Sequence, residues 1–136
     1  MKIKEIKRKT ENLTLLYIED NVELRESKLI LFREIFKSVT EASNGYEGLK
    51  EYQESDFDLI ITDINMPLMG GLEMLEKIKK IKSDQKVIVH SAYSELEYIS
   101  KMIDLNIDSF ITKPITSKDL ISAISSVVDK EVEISA

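Results

Sequence analysis

Five short apolar runs, separated by longer amphipathic stretches, constrain the fold of this 136-residue chain more than any other feature. Several of the runs are continuous rather than alternating, which is typical of strands covered on both faces of a parallel sheet. The runs therefore predict five buried strands, at Leu13–Ile18, Val39–Ala42, Leu59–Ile61, Val87–Val89 and Ile107–Ile111.

The stretches between the runs have helical spacing. In the fourth, Leu96, Ile99 and Ile103 lie on one helix face, and in the fifth an inward stripe comprises Leu120, Ile124, Val127 and Val128. Asn44 with Glu47 resembles a capping box at one helix start, and Thr116 or Ser117 suits another. A β-α unit repeated five times predicts an α/β fold, a doubly wound parallel sheet flanked by five helices. Its ligand site is expected at the carboxyl ends of the strands, near the switch point.

Length and composition indicate one ordinary domain, assigned here to residues 13–130, with a polar leader at 1–12 and a C-terminal tail at 131–136. The leader is expected to be a frayed end or a short extra helical turn. A net charge of -6 disfavours direct nucleic acid binding and attraction to anionic lipid. Without cysteine or a segment of transmembrane length, the expected location is the cytoplasm, away from the membrane.

Chemically active side chains follow four of the predicted strands. Glu19 and Asp20 come after the first, Asp63 after the third, Ser91 after the fourth and Lys113 after the fifth. Because the first and third strands are neighbours in a doubly wound sheet, the three carboxylates are expected to converge. Their mutual repulsion calls for a cation, and an all-oxygen ligand set favours Mg²⁺. Glu19 and Asp20 would also suit the start of the following helix, a role compatible with metal binding.

Four segments at these strand ends resemble the signatures of the response regulator receiver domain, CheY-like, of two-component signal transduction. They are Leu-Leu-Tyr-Ile-Glu-Asp-Asn at 15–21, Asp-Leu-Ile-Ile-Thr-Asp-Ile-Asn-Met-Pro-Leu-Met-Gly-Gly at 58–71, His-Ser-Ala at 90–92 and Phe-Ile-Thr-Lys-Pro at 110–114. The resemblance covers about residues 13–129. It implies a flavodoxin-like sheet with strand order 2-1-3-4-5.

The resemblance also implies roles for individual residues. Asp63 would accept a phosphoryl group from the phosphohistidine of a sensor histidine kinase or phosphotransfer protein, while Lys113 and Ser91 would hold the phosphoryl oxygens. Mg²⁺ would be surrounded by Glu19, Asp20, Asp63 and the backbone carbonyl of Asn65. Such a domain is a signalling phosphoacceptor, not an enzyme, and catalyses only its own phosphorylation and autodephosphorylation.

Ser91 and Phe110 are the expected switch. When the Ser91 hydroxyl turns towards a new phosphoryl oxygen, Phe110 can fill the space behind it. The family often has Thr and Tyr at these two positions, so coupling here would depend on packing. Glu19 likewise replaces a frequent Asp, and its longer side chain would reach the metal directly or through water.

Several readings stay open beside this one. A pseudo-receiver would bind partners without phosphorylation. An aspartyl-phosphate phosphatase of the haloacid dehalogenase type usually has Asp-x-Asp, whereas Asn65 stands at the second acidic position here. A flavin-binding protein would place phosphate after the first strand, where Glu19 and Asp20 would repel it. His90, the sole histidine, has no second histidine for a metal pair and is interpreted as structural or locally hydrogen-bonded.

The resemblance further implies an output partner or output domain, and phosphorylation-dependent dimers are also expected. The fourth helix, fifth strand and fifth helix would form the output face, with Tyr98 and Lys101 on it. Asn65 and Tyr93 would flank the path of the hydrolytic water.

Overall fold

The computed structural model describes residues 2–66, 68–92, 96–113 and 116–135, with the side chains of 96–98 and 130–135 excepted. This part of the chain forms a five-stranded sheet between two layers of helices. The strands are β1 (Thr14–Ile18), β2 (Ser38–Ala42), β3 (Leu59–Thr62), β4 (Lys86–Ser91) and β5 (Ser109–Thr112). The helices are α1 (Ile3–Thr10), α2 (Val22–Ile35), α3 (Gly45–Glu54), α4 (Gly71–Ile81), α5 (Leu96–Asp104) and α6 (Ser117–Ser135).

The sheet is entirely parallel, with the order β2-β1-β3-β4-β5. This confirms the predicted doubly wound topology. The chain turns from β1 outward to β2 and then back across β1 to β3, so β1 and β3 are neighbours. Residues that follow these two strands therefore meet at the carboxyl edge of the sheet.

Each face of the sheet supports its own apolar core, because successive side chains of a strand point to opposite faces. The first core lies under α1, α2 and α6 and comprises Ile6, Leu15, Tyr17, Leu29, Phe32, Ile35, Phe36, Leu59, Ile61, Ile88, Leu120, Ile121, Ile124, Val127 and Val128. The second core lies under α3, α4 and α5 and comprises Leu16, Ile18, Ala42, Tyr52, Phe57, Ile60, Ile64, Met66, Met74, Leu75, Ile78, Val87, Val89 and Met102.

Local capping agrees with the sequence at two helices. The Asn44 side chain accepts a hydrogen bond from the Glu47 amide (2.8 Å), although Glu47 reaches back to Ser43 rather than to Asn44. Thr116 Oγ1 accepts from the Asp119 amide (3.1 Å) at the start of α6. The inward stripe of α6 is confirmed, since Leu120, Ile124, Val127 and Val128 are all buried.

Helix α5 differs from the sequence pattern. Ile103, predicted to share a face with Leu96 and Ile99, is 73% exposed, whereas Met102 packs into the second core. Apolar spacing located the helix but did not fix its rotation, because the flexible Met side chain serves the core as well as Ile would.

The residues assigned to the polar leader form helix α1, an additional helix before β1. Ile6 is fully buried in the first core, and Thr10 Oγ1 donates to the carbonyls of Ile6 (3.0 Å) and Ile35 (2.8 Å). Lys9 Nζ donates to Asp129 of α6 (2.7 Å). Helix α1 is thus packed against the ends of α2 and α6.

At the other end, α6 extends to Ser135. The boundaries at 13 and 130 stay predictions. Within the described ranges, no helix has the length and apolarity needed to cross a membrane.

Candidate functional site

Two neighbouring strands deliver the acidic residues to one point. Glu19 directly follows β1, and its amide donates to Ala42 O of β2 (3.0 Å). Asp63 directly follows β3, and its amide donates to Ile18 O of β1 (3.2 Å). These ladder bonds extend the sheet by one row beyond the strands, so the two carboxylates are held by backbone geometry rather than by a mobile loop.

One carboxylate oxygen each from Glu19, Asp20 and Asp63 lies within 4.8 Å of the other two. We call this group the acidic pocket. Glu19 is fully buried and Asp63 nearly so, while Asp20 is exposed at the mouth. The donors are hard oxygens with one side open to solvent, which suits Mg²⁺ because that ion prefers oxygen ligands and keeps several waters. The residues present thus fit a magnesium site of the kind the sequence predicted.

Lys113 reaches into the acidic pocket from the end of β5. Its ammonium donates to Glu19 Oε1 (2.8 Å) and to Asp63 Oδ2 (2.9 Å). Burial acts to lower the pKa of Lys113, but the hydrogen bonds to the two carboxylates outweigh it and raise the pKa above the ordinary value. Burial raises the pKa of Glu19, and the contact with Lys113 offsets only part of that effect. Lys113 is therefore a permanent cation in the pocket at neutral pH.

Two supporting residues were not foreseen from the sequence. Arg25 of α2 donates through Nη1 to the Glu19 carbonyl (2.7 Å). Asn21 caps α2 by accepting from the Leu24 amide (3.0 Å), and its own amide donates to Glu19 Oε2 (3.2 Å). The cap is therefore Asn21 rather than Glu19 or Asp20. The Asn before an apolar helix was a readable capping signal, whereas the contact of Arg25 depends on tertiary packing.

The segment after Asp63 is held by backbone contacts to the start of α4. The Ile64 amide donates to Asp63 Oδ1 (2.6 Å), and the Gly71 amide donates to Ile64 O (2.7 Å). A Cβ on Gly71 would lie only 2.2 Å from Asp63 O. Position 71 thus lacks a side chain because α4 abuts the backbone of the acidic residue itself.

The remaining predicted residues lie around this centre. Ser91 ends β4 and is fully buried, and its carbonyl accepts from the Lys113 amide (2.7 Å). Phe110 is half-buried against the second core, and Asn65 is exposed. The structure therefore brings Ser91 beside Lys113. The roles of Ser91 and Phe110 as a switch, and of the Asn65 carbonyl as a ligand, stay predictions.

Tyr93 and the side chain of Tyr98 lie outside the described residues. Lys101 is exposed on α5.

Comparison with known proteins agrees with the fold and the acidic pocket. A family model for the response regulator receiver domain matches residues 15–125. The chemotaxis protein CheY of Halobacterium salinarum is 31% identical over 114 residues, covering 84% of this chain and 95% of that protein. The nitrate/nitrite response regulator protein NarL of Escherichia coli is 32% identical over 127 residues, covering 92% of this chain but 59% of NarL.

Among solved structures, the CheY-like receiver domain protein of Methanospirillum hungatei superimposes with a TM-score of 0.83 at 30% identity, covering 90% of this chain and 98% of that one. The sheet order and the acidic pocket together define a CheY-like receiver fold. The chain belongs to the response regulator receiver domain family of two-component signalling.

Proposed function

We propose that this domain is a phosphoacceptor in which Asp63 receives a phosphoryl group from a phosphohistidine. The observation that carries the proposal is the acidic pocket with Lys113 joined to both Glu19 and Asp63. A structural ion pair would need one carboxylate for one ammonium. Three carboxylates around one ammonium leave an excess of negative charge, which a phosphoryl-transfer site balances with a divalent cation.

In the proposed reaction, an oxygen of the Asp63 carboxylate forms a bond to phosphorus as the phosphorus–nitrogen bond of the donor histidine breaks. The electron pair of the broken bond leaves with the histidine nitrogen, which takes up a proton from solvent, so the products are an acyl phosphate on Asp63 and a neutral imidazole. Asp63 is nucleophilic as the carboxylate, so no separate base is required. When bound, Mg²⁺ would supply charge neutralisation for the phosphoryl oxygens, and Glu19, Asp20, Asp63 and the Asn65 carbonyl would hold it.

Lys113 and Ser91 are assigned to the phosphoryl oxygens. Phosphoryl transfer needs charge stabilisation and alignment more than covalent chemistry from the protein. The Lys113 ammonium is already 2.9 Å from Asp63 Oδ2, and so within a small side-chain movement of a group attached there. Ser91 lies at the end of the neighbouring strand and reports the new group by rotating its hydroxyl, with Phe110 turning inward behind it.

The donor is assigned as a sensor histidine kinase or a phosphotransfer protein, since receiver domains are paired with histidine-based donors. The output acts through the face formed by α5, β5 and α6, where Lys101 is exposed. Because the chain spans nearly all of CheY but only about three fifths of NarL (59%), output through contact and output through a further domain are both consistent with these relatives. Alanine at Lys101 is expected to weaken partner binding or phosphorylation-dependent self-association without changing phosphorylation of Asp63.

The test is intact mass after incubation with Mg²⁺ and acetyl phosphate. Wild type is expected to gain one acid-labile phosphoryl group, and Asp63→Asn to gain none while its circular dichroism spectrum stays unchanged. Asp84→Asn is the matched control, because it removes the same charge from an exposed position between α4 and β4. A folded wild type with no adduct and no response to beryllofluoride would identify a pseudo-receiver and remove the proposal.

A further inference from the structure

His90 lies in the same cross-strand row as the two buried carboxylates. Ile18 of β1 pairs with Thr62 of β3, and Thr62 pairs with Val89 of β4. The next residues on these three strands, Glu19, Asp63 and His90, therefore form the following row. The His90 ring stacks on Tyr17 of the first core, with ring centroids 6.1 Å apart, so it lies on that face of the sheet, beneath the acidic pocket.

The His90 ring is buried without a hydrogen-bond partner. It is 1% exposed, and neither ring nitrogen is hydrogen-bonded to any residue that the structure describes. A buried donor without a partner destabilises the folded state by about 1–3 kcal/mol, so an imidazole with only a packing role would be unfavourable at this position. Nε2 is 4.0 Å from Glu19 Oε1. Burial, with repulsion from Lys113 second, lowers the pKa of His90 to about 4, so the ring is neutral at pH 7 and carries one N–H.

Among the residues that the structure describes, Lys113 is the one hydrogen-bond donor to Glu19 Oε1, and the proposed function moves Lys113 away. Lys113 donates to this oxygen at 2.8 Å, while Glu19 Oε2 accepts from the Asn21 amide at 3.2 Å. If Lys113 turns towards a phosphoryl group on Asp63, Oε1 is left buried without a donor. A buried carboxylate oxygen without a donor is unfavourable, and the Glu19 side chain would then no longer be held in one direction.

We propose that His90 is a positioning residue for Glu19, donating a hydrogen bond from Nε2 to Oε1 when Lys113 moves to the phosphoryl group. The inference rests on the proposed function, because that function supplies the movement of Lys113. Closing the gap from 4.0 Å to a hydrogen bond of about 2.9 Å needs about 1 Å of movement. The Glu19 side chain is long enough to allow this movement, and the bond keeps its carboxylate directed at the acidic pocket.

The test compares His90→Leu, which removes the donor, with His90→Gln, which places an amide N–H near the position of Nε2. The measurement is the Mg²⁺ dissociation constant by titration calorimetry, with and without saturating beryllofluoride as the phosphoryl mimic. Loss of a residue that orients a metal ligand typically weakens metal binding about 10–100-fold. We expect His90→Leu to weaken Mg²⁺ binding about 10-fold with beryllofluoride bound and by a smaller factor without it, and His90→Gln to restore most of the loss.

A second readout uses the fact that the chain has one histidine, so its imidazole nitrogen signals in ¹⁵N NMR are unambiguous. The Nε2–H proton is expected to move downfield and exchange more slowly when Mg²⁺ and beryllofluoride are added. Wild-type binding of beryllofluoride, combined with equal Mg²⁺ affinities for wild type and His90→Leu, would overturn this inference alone. No beryllofluoride binding by wild type would overturn the proposed function and this inference with it. An equal loss in both conditions, without rescue by Gln, would assign His90 a structural role only.

Discussion

A single methyl group added at Gly71 should displace Asp63 and so disturb the acidic pocket, because α4 begins against the backbone of Asp63. A Cβ at Gly71 would lie 2.2 Å from Asp63 O and 2.8 Å from Ile64 Cα, both backbone atoms. The adjacent Gly70 offers a matched control, because the one described atom that a Cβ there would meet is Ile64 O, at 3.3 Å. The two variants Gly71→Ala and Gly70→Ala add the same methyl group to adjacent residues, the first residue of α4 and its N-cap.

The expected size of the effect follows from these distances. Real Cβ atoms essentially never approach closer than 3.0 Å, so α4 and the end of β3 must separate by at least 0.8 Å, the difference between 3.0 and 2.2 Å. Overpacking of this kind costs about 1–3 kcal/mol, and rigid backbone neighbours place Gly71→Ala near the upper end. The better helix propensity of Ala returns up to about 1 kcal/mol. We therefore expect a net loss of about 2 kcal/mol.

Gly70→Ala should cost about 0.5 kcal/mol, since Ala is a poorer N-cap than Gly and the contact needs only a small adjustment. Urea denaturation of both variants in metal-free buffer measures the difference. The shift of about 1 Å also displaces Asp63, and misplacement by that distance can lower a rate about 100-fold. We expect Gly71→Ala to be phosphorylated by acetyl phosphate at least about 10-fold more slowly than Gly70→Ala. Equal stabilities and equal rates for the two variants would show that α4 does not press on the backbone of Asp63.

Three further changes test the packing and charge of the domain. Ile6→Ala should lower the free energy of unfolding by about 2–4 kcal/mol, because Ile6 is fully buried. The control Ile30→Ala, at a position 78% exposed, should change it by less than about 0.5 kcal/mol. Urea denaturation compares the two variants, and equal effects would contradict the packing of α1. Lys113→Met should have a lower free energy of unfolding than wild type at pH 7, because Glu19 loses its cation. The pKa of Lys113 is raised in the folded state, so its contribution to stability is complete below pH 10.5 and declines as pH rises through that raised pKa. If the stabilities of Lys113→Met and wild type did not converge at high pH, this would count against the ion pair. Asp63→Asn should melt at a higher temperature than wild type without Mg²⁺, since it relieves repulsion in the acidic pocket, and a clear decrease would count against charge crowding.

The sequence predicted the five strands and the meeting of Glu19, Asp20 and Asp63 at one edge of the sheet. Buried strands such as β1, with Leu15, Leu16 and Ile18, can be recognised from a short apolar run alone. The parallel topology then places the residues that follow β1 and β3 at one edge of the sheet. Asp63 could be predicted in this way, because its position depends only on where a strand ends. The cap at Thr116 was equally local.

Tertiary structure decided what local spacing leaves undetermined. In the sequence Ile6 belongs to a polar segment, and it is buried only because α2 and α6 provide an apolar surface for it. Whether Met102 or Ile103 is the buried residue of α5 depends on how that helix packs against the sheet. The same holds in the site: the contacts of Arg25 with Glu19 O and of Lys113 with both carboxylates join residues far apart in the chain. A sequence specifies such contacts only through the complete fold, because hydrogen bonds and ion pairs act over a few ångströms, and only folding brings these residues that close.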